Sequence, residues 1–345
     1  MKKKLIASLG IVALLVAFVV FVPGGQEKVK AAEYNWKFAH EEQPGGFMDS
    51  VAQEFKSLLA EKSNGRINLQ IFPAGQLGNS KDMIELTRQG VVQFNFASTG
   101  HVGTMVPEAQ GFLLHYLFPK DDKLVNDVLE NGQAVEMLYD DFSGKALKPL
   151  ATLNSGWQIW SANKKLTSPE DFNGFKMRTM TSKLLLEDYE AYGANPTTTP
   201  YSEVYSALQL GMIDGQVNPI SCIANMKFYE VQDYLIKAYS NPFILTLITN
   251  PNFYNSLPED IQNIVQETVS ELYPYSTQWR NEFNQEMEKK IRADKPGIEI
   301  ITLSEEEREE FRKLAKPVRD IYVDLVGEDG ETFLKLLEED IEEAK

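Results

Sequence analysis

The chain has 345 residues, 43% hydrophobic and 24% charged, an ordinary globular composition at a length that favours two lobes over one core. Its 34 basic and 50 acidic side chains give a net charge of −16; without residues 1–31, which hold five Lys and one Glu, 29 stand against 49, a net of −20. That balance repels phosphate backbones, argues against nucleic acid as a partner, and leaves any anion site dependent on local cations.

Lys2-Lys3-Lys4, the apolar stretch Leu5 to Val22 and the small-residue site Val29-Lys30-Ala31 read as a secretory signal over residues 1–31, with an uncleaved membrane anchor as the alternative. No later segment is long and apolar enough to span a membrane. Tyr34 to His40 alternates as a first strand, with Trp36 and Phe38 on one face. Phe47, Val51, Phe55, Leu58 and Leu59 recur at helical spacing until Asn64-Gly65. Ile67, Leu69 and Ile71 form a second strand, Ser80 to Gln89 a helix closed by Gly90, and Val91 to Ala97 a third strand leading into Ser98-Thr99-Gly100. This order predicts a parallel sheet with helices on its faces.

A helical stretch near 123–139 precedes strand-like runs over 150–160, and 175–180 makes a short strand. A helix over 182–192, a helix start at 202–205 and a strand over 212–217 complete a second α/β lobe. Cys222, the only cysteine, excludes an intramolecular disulfide and reads as a buried structural thiol. From Pro258, Ile261, Val265, Val269 and Leu272 form a helical stripe that Tyr275, Trp279, Phe283, Met287 and Ile291 continue beyond Pro274, where a kink is expected. Such a helix, roughly 50 Å long, exceeds the width of one lobe and is expected to pack on both. The acidic, amphipathic tail over 304–343 is placed on the outside.

Three histidines, His40, His101 and His115, and no nucleophile elbow, phosphate loop or zinc motif shift the balance from catalysis towards binding. A carboxylate pair for glycoside cleavage stays open among so many acids. Neither a metal nor a cofactor is expected.

Residues 154–250 carry the specific signal: Ser161-Ala162-Asn163-Lys164, Pro169 through Arg178, Gly193-Ala194-Asn195-Pro196, Tyr201 through Gln209, and Gly211 through Pro219. With Phe72 through Gly78, Phe228 through Gln232 and Asn255 through Pro258, these segments resemble the solute-binding proteins of tripartite ATP-independent periplasmic (TRAP) transporters, most of all the C4-dicarboxylate branch. The resemblance implies an α/β, two-lobed clamp like other periplasmic binding proteins, with a long helix spanning both lobes. Lobe I then comprises residues 32–155 plus 244–283, and lobe II residues 156–243 plus 284–345. It implies no catalysis, a small organic carboxylate as ligand, and integral membrane permease subunits as partners. A binding protein of an ATP-driven importer and a secreted hydrolase are the alternatives.

The family's carboxylate-binding arginine falls on Arg178, whose planar fork matches a carboxylate and stays charged in a closed cleft; the plain structural role is a surface ion pair. Asn218 falls on an asparagine able to donate to the same carboxylate, or serves as a turn residue before Pro219. Tyr201 takes the position of a ring against the ligand, or packs the core. Gln158 stands where sialate-binding relatives carry a second arginine, and its neighbour Trp157 adds aromatic surface. Asn241-Pro242-Phe243 departs from the His-Gly-Tyr of dicarboxylate binders and brings Phe243 to the pocket. Glu41, Ser98 and Thr99 align with cleft loops of the first lobe, Glu41 as an acceptor for a ligand hydroxyl or amine or as a solvent-facing acid.

Overall fold

The computed structural model describes residues 32–345, so the expected signal segment lies outside the described residues. In chain order the strands are β1 (Tyr34–Ala39), β2 (Ile67–Phe72), β3 (Phe94–Ser98), β4 (Lys148–Trp157), β5 (Ile159–Ala162), β6 (Met177–Thr179), β7 (Thr197–Thr198), β8 (Gly215–Asn218), β9 (Tyr234–Lys237), β10 (Pro242–Thr249) and β11 (Glu299–Thr302). They form two sheets, ordered β2-β1-β3-β10-β4 and β11-β9-β5-β8-β6-β7.

Alternation makes β1: Trp36 and Phe38 are buried while Asn35 and Lys37 face out. It pairs in parallel with β2, Trp36 opposite Leu69, and with β3. The helix Phe47–Lys62 lays Phe47, Val51, Phe55 and Leu59 on this sheet at four-residue spacing. An Asn79–Asp82 capping box starts the helix Ser80–Arg88, and Gly90, at φ +73°, follows its end. The expected parallel sheet is mixed, because β10 returns from the second lobe and runs antiparallel to β3 and β4. The single helix expected near 123–139 is two, Asp122–Asn131 and Gln133–Asp141. At Gly132 the Asp340 carboxylate accepts from the Gln133 and Ala134 amides, and a Cβ would sit 2.6 Å from its Oδ2.

The second sheet places β6, which carries Arg178, between β8 and β7. The chain crosses between the sheets twice, from β4 to β5 at Gln158 and from β9 back to β10 over Ala238–Asn241. The helix Glu259–Asp294 is the third bridge: 36 residues, about 54 Å long, continuous through Pro274. Its Ile261, Val265 and Leu272 belong to the first lobe's core, and Met287 and Ile291 to a core of the second. Between them the buried positions are Ser276 and Arg280, so the aromatic stripe is displaced: Trp279 stacks on Phe283 at 4.1 Å and both are half-buried.

The tail corrects one expectation. Of residues 284–345, assigned to lobe II, the stretch up to Ala315 packs there: Met287, Ile291 and Ile298 in one core, β11 beside β9, and Leu303, Phe311 and Ala315 in another. The helices Val318–Val326 and Glu328–Glu343 bury Tyr322, Phe333 and Leu337 in the core built by Val102, Phe112, Leu129 and Leu138 of lobe I. Their apolar stripes complement a face that the 107–141 segment leaves uncovered.

Candidate functional site

Between the lobes lies a cleft of about 550 Å³. Glu41, Ser80 and His101 line it from the first lobe, and Arg178, Thr199 and Tyr201 from the second. An inner recess continues it, walled by Glu42, Met180, Asn218, Cys222 and Phe243.

Arg178 is 3% exposed and sits on β6 opposite Thr197 and Gln216. Its Nε and Nη2 both donate to the Thr199 carbonyl, at 2.9 and 2.5 Å, which fixes the plane of the guanidinium. Among the described residues Nη1 has no partner, so the outer fork edge is left for a ligand. Burial lowers its pKa to about 10, against the opposing pull of Tyr201 and Glu41, and the group stays charged at neutral pH. The surface ion-pair role is ruled out by this burial.

On the facing wall Glu41 follows β1. Its Oε2 lies 3.0 Å from His101 Nδ1 and accepts from Ser80 Oγ. Burial tends to raise the Glu41 carboxyl; His101, Ser80 and the Arg178 charge outweigh it and hold it below its ordinary range. An anion and a cation therefore face each other across the cleft. Ser98 Oγ lies 2.9 Å from the same His101 nitrogen and 3.7 Å from Met180 Sδ across the lobes.

At the inner end Glu42 Oε2 accepts from the Met48 amide at 2.9 Å, one of the free N–H groups of the helix Phe47–Lys62. Its Oε1 accepts from Cys222 Sγ of the other lobe at 3.3 Å. Burial pushes both the Glu42 carboxyl and the Cys222 thiol up. Gly46 allows this approach, since a Cβ there would meet Glu42 Oε2 at 2.4 Å. Asn218 Nδ2 donates to Gln216 Oε1, Gln216 Nε2 to Ser161 Oγ at 2.9 Å, and Ser161 Oγ to Gln232 Oε1 at 3.2 Å. This chain orients the Asn218 amide from below. Tyr201 donates to the Cys222 carbonyl at 3.3 Å and packs edge-on to Phe228.

Of the residues singled out in the sequence, Arg178, Tyr201, Glu41, Asn218 and Phe243 converge here. Ser98 and Thr99 are buried behind His101, which takes the place in the wall expected of them. Trp157 and Gln158 do not reach the cleft: the crossing from β4 to β5 turns them toward the long helix, into a separate cavity. His101, Ser80, Glu42 and Cys222 were missed as site residues. For three of them the signal was proximity: Glu42 adjoins Glu41, His101 adjoins Ser98-Thr99 and Cys222 follows Asn218-Pro219, whereas Ser80 reads only as a helix start.

Two sheets joined by two strand crossings and a spanning helix, with a buried guanidinium in the intervening cleft, define a two-lobed binding clamp. The chain belongs to the bacterial extracellular solute-binding protein family 7, whose model matches residues 38–324. It is 34% identical over 308 residues to the ectoine-binding periplasmic protein TeaA of Halomonas elongata, covering 89% of this chain and 90% of that one. The solved structure of the ectoine-binding protein from the Halomonas TeaABC TRAP transporter superposes with a TM-score of 0.87, over 90% of this chain and 99% of that one. The C4-dicarboxylate-binding periplasmic protein DctP of Rhodobacter capsulatus is 32% identical over 294 residues, 84% of this chain and 87% of that protein.

Proposed function

We propose that this protein is the extracytoplasmic receptor of a TRAP transporter, capturing a small organic carboxylate between its lobes and handing it to integral membrane permease subunits. It acts by binding and release, not by catalysis. The observation that carries the reading is Arg178: a buried guanidinium, half tied to Thr199, with its free edge on the cleft. A buried charge of this kind calls for an anionic partner. Asn218 and Tyr201 flank that carboxylate, and Phe243 with Met180 offers apolar surface to its carbon skeleton. Glu41 favours a solute that also carries a cation or a hydroxyl donor. Ser98 contributes through His101.

A thermal-shift screen of organic acids tests the class. A ligand at 100 times its dissociation constant stabilises the folded state by about 2.7 kcal/mol. Succinate, ectoine, orotate and galactonate, spanning plain and hydroxylated or zwitterionic carboxylates, form a suitable first panel. If only neutral sugars or simple amines raise the melting temperature, the reading is wrong.

Closure has its own reporter. Cys222 is the only cysteine and is buried, its thiol reaching Glu42 across the lobes. An acid that binds is expected to slow alkylation of Cys222 by iodoacetamide several-fold, because the reagent enters only when the lobes part. Equal rates with and without that acid would refute closure over the recess.

A further inference from the structure

Where the chain crosses between the sheets there is a second cavity, of about 360 Å³, that shares no lining residue with the cleft. Trp157 and Gln158 come to it from the first crossing, Tyr239 from the second, and Arg280 and Asn284 from the long helix. Gly156 makes this approach possible: at φ +123° it lies against the helix, and a Cβ would sit 3.2 Å from Asn284 Nδ2.

The charges here do not balance at depth. Arg280 is 2% exposed, and its Nη1 donates only to neutral acceptors, the Asn154 carbonyl at 2.9 Å and Asn126 Oδ1 at 3.2 Å. Its Nη2 is buried without a partner among the described residues. Of the two carboxylates in the cavity wall, Glu288 pairs with Lys237 and Arg292, while the exposed Asp122 accepts from Trp157 Nε1 at 3.0 Å and acts on Arg280 through its charge, without a hydrogen bond to it. Gln158 is 1% exposed with neither amide atom partnered, and Asn284 Oδ1 is likewise alone. A buried cation that no carboxylate contacts, among unsatisfied amides, is costly unless something pairs with it. Beside this polar end Trp157 and Tyr239 meet edge to face at 5.5 Å, with Ile159 and Ile220 completing an apolar wall.

We propose that this cavity is a second binding site, for a small organic carboxylate whose anionic end pairs with Arg280 and Gln158 and whose carbon skeleton lies against Trp157 and Tyr239. The volume and the aromatic wall exceed what a bare inorganic ion uses. Because the walls come from both crossings and the bridging helix, the cavity's shape depends on the angle between the lobes. An occupant therefore couples to solute capture in the cleft, and the coupling is reciprocal. The proposal stands apart from the role given to Arg178.

The test uses the full chain with Arg178→Ala, so that uptake in the cleft is removed, titrated calorimetrically with acetate, lactate and benzoate in turn. One equivalent of at least one of these acids is expected to bind, most strongly benzoate. Arg280→Gln added to that background is expected to abolish uptake. Since Arg280 also holds the Asn154 carbonyl, Gln158→Leu is the second variant; it leaves those bonds in place and is expected to weaken uptake about tenfold or more. No uptake of any of the three acids, or uptake that Gln158→Leu leaves unchanged, overturns the proposal. So does saturation by sodium chloride that displaces benzoate competitively, which would mark an inorganic anion site instead.

Discussion

Arg178→Ala is expected to abolish measurable binding of the carboxylate solute while the protein still unfolds cooperatively. In the native cleft the guanidinium is desolvated, keeps its charge, and has one edge locked on the Thr199 carbonyl. The price of its burial is already met in the folded protein, so the free edge meets a carboxylate with little reorganisation. Removing one partner of such a pair typically costs about 2–5 kcal/mol, roughly 30- to several-thousand-fold in affinity. A second effect adds to the first: without the two bonds to Thr199, the segment Thr198–Ser202 that walls the cleft loses its anchor. Arg178→Lys separates the two contributions. An ammonium restores the charge but cannot hold Thr199 and a carboxylate in the same planar fork, so an intermediate affinity is expected. Calorimetry returning wild-type affinity for Arg178→Ala would remove Arg178 from the site.

Much of this site could be read from the sequence because its parts are local. The alternation of β1, the spacing of Phe47, Val51, Phe55 and Leu59, and the ordered motif around Arg178 each lie within one element. What escaped depends on how distant elements meet. Trp157 and Gln158 were expected beside Arg178, but the crossing rotates them toward the long helix, and a rotation at a crossing leaves no periodic trace. Arg280 sits at a step of the helix where the apolar stripe predicts Trp279 inward; Asn126 and the Asn154 carbonyl, far away in sequence, make burial of the guanidinium tolerable. The last two helices show amphipathic spacing, which says that each has an inner face but not which lobe receives it. His101 was one of three histidines in the chain, and only the fold brings it to Glu41.

The largest pH effects are expected from a pair outside both cavities. His115, after the 107–113 turn of the first lobe, and Asp188, on the helix Lys183–Ala191, are fully enclosed, with His115 Nδ1 3.9 Å from Asp188 Oδ1. That separation is too long for a hydrogen bond, and the same nitrogen is 2.8 Å from the Tyr192 hydroxyl. Tyr116, Tyr189 and Tyr192 surround the imidazole, with Arg308 and Arg312 beyond the Tyr116 ring. Burial lowers the His115 pKa to about 3 and pushes Asp188 well above its ordinary range. Above the ordinary carboxylate range, and until the raised Asp188 carboxyl ionises, the folded pair is thus a carboxylic acid beside a neutral imidazole, whereas the unfolded chain below about pH 6.5 holds a carboxylate and an imidazolium. Both states bind one proton, so the intact pair gives no slope of stability against pH in that window.

Single substitutions break the cancellation in opposite directions. In Asp188→Asn only His115 remains; the unfolded state binds the extra proton, and stability falls as pH drops from about 6.5 toward 3. In His115→Gln only Asp188 remains; the folded state binds the extra proton, and stability falls as pH rises from about 4 toward the raised pKa of that carboxyl. Each slope is at most about 1.4 kcal/mol per pH unit, relative to the unmutated protein at the same pH. Urea unfolding of the three proteins at several pH values measures the differences and removes the background titration of the other acids. Differences of the same sign in the two variants, or an imidazolium signal from His115 at about pH 5 in the intact protein, would overturn the assignment of a neutral pair.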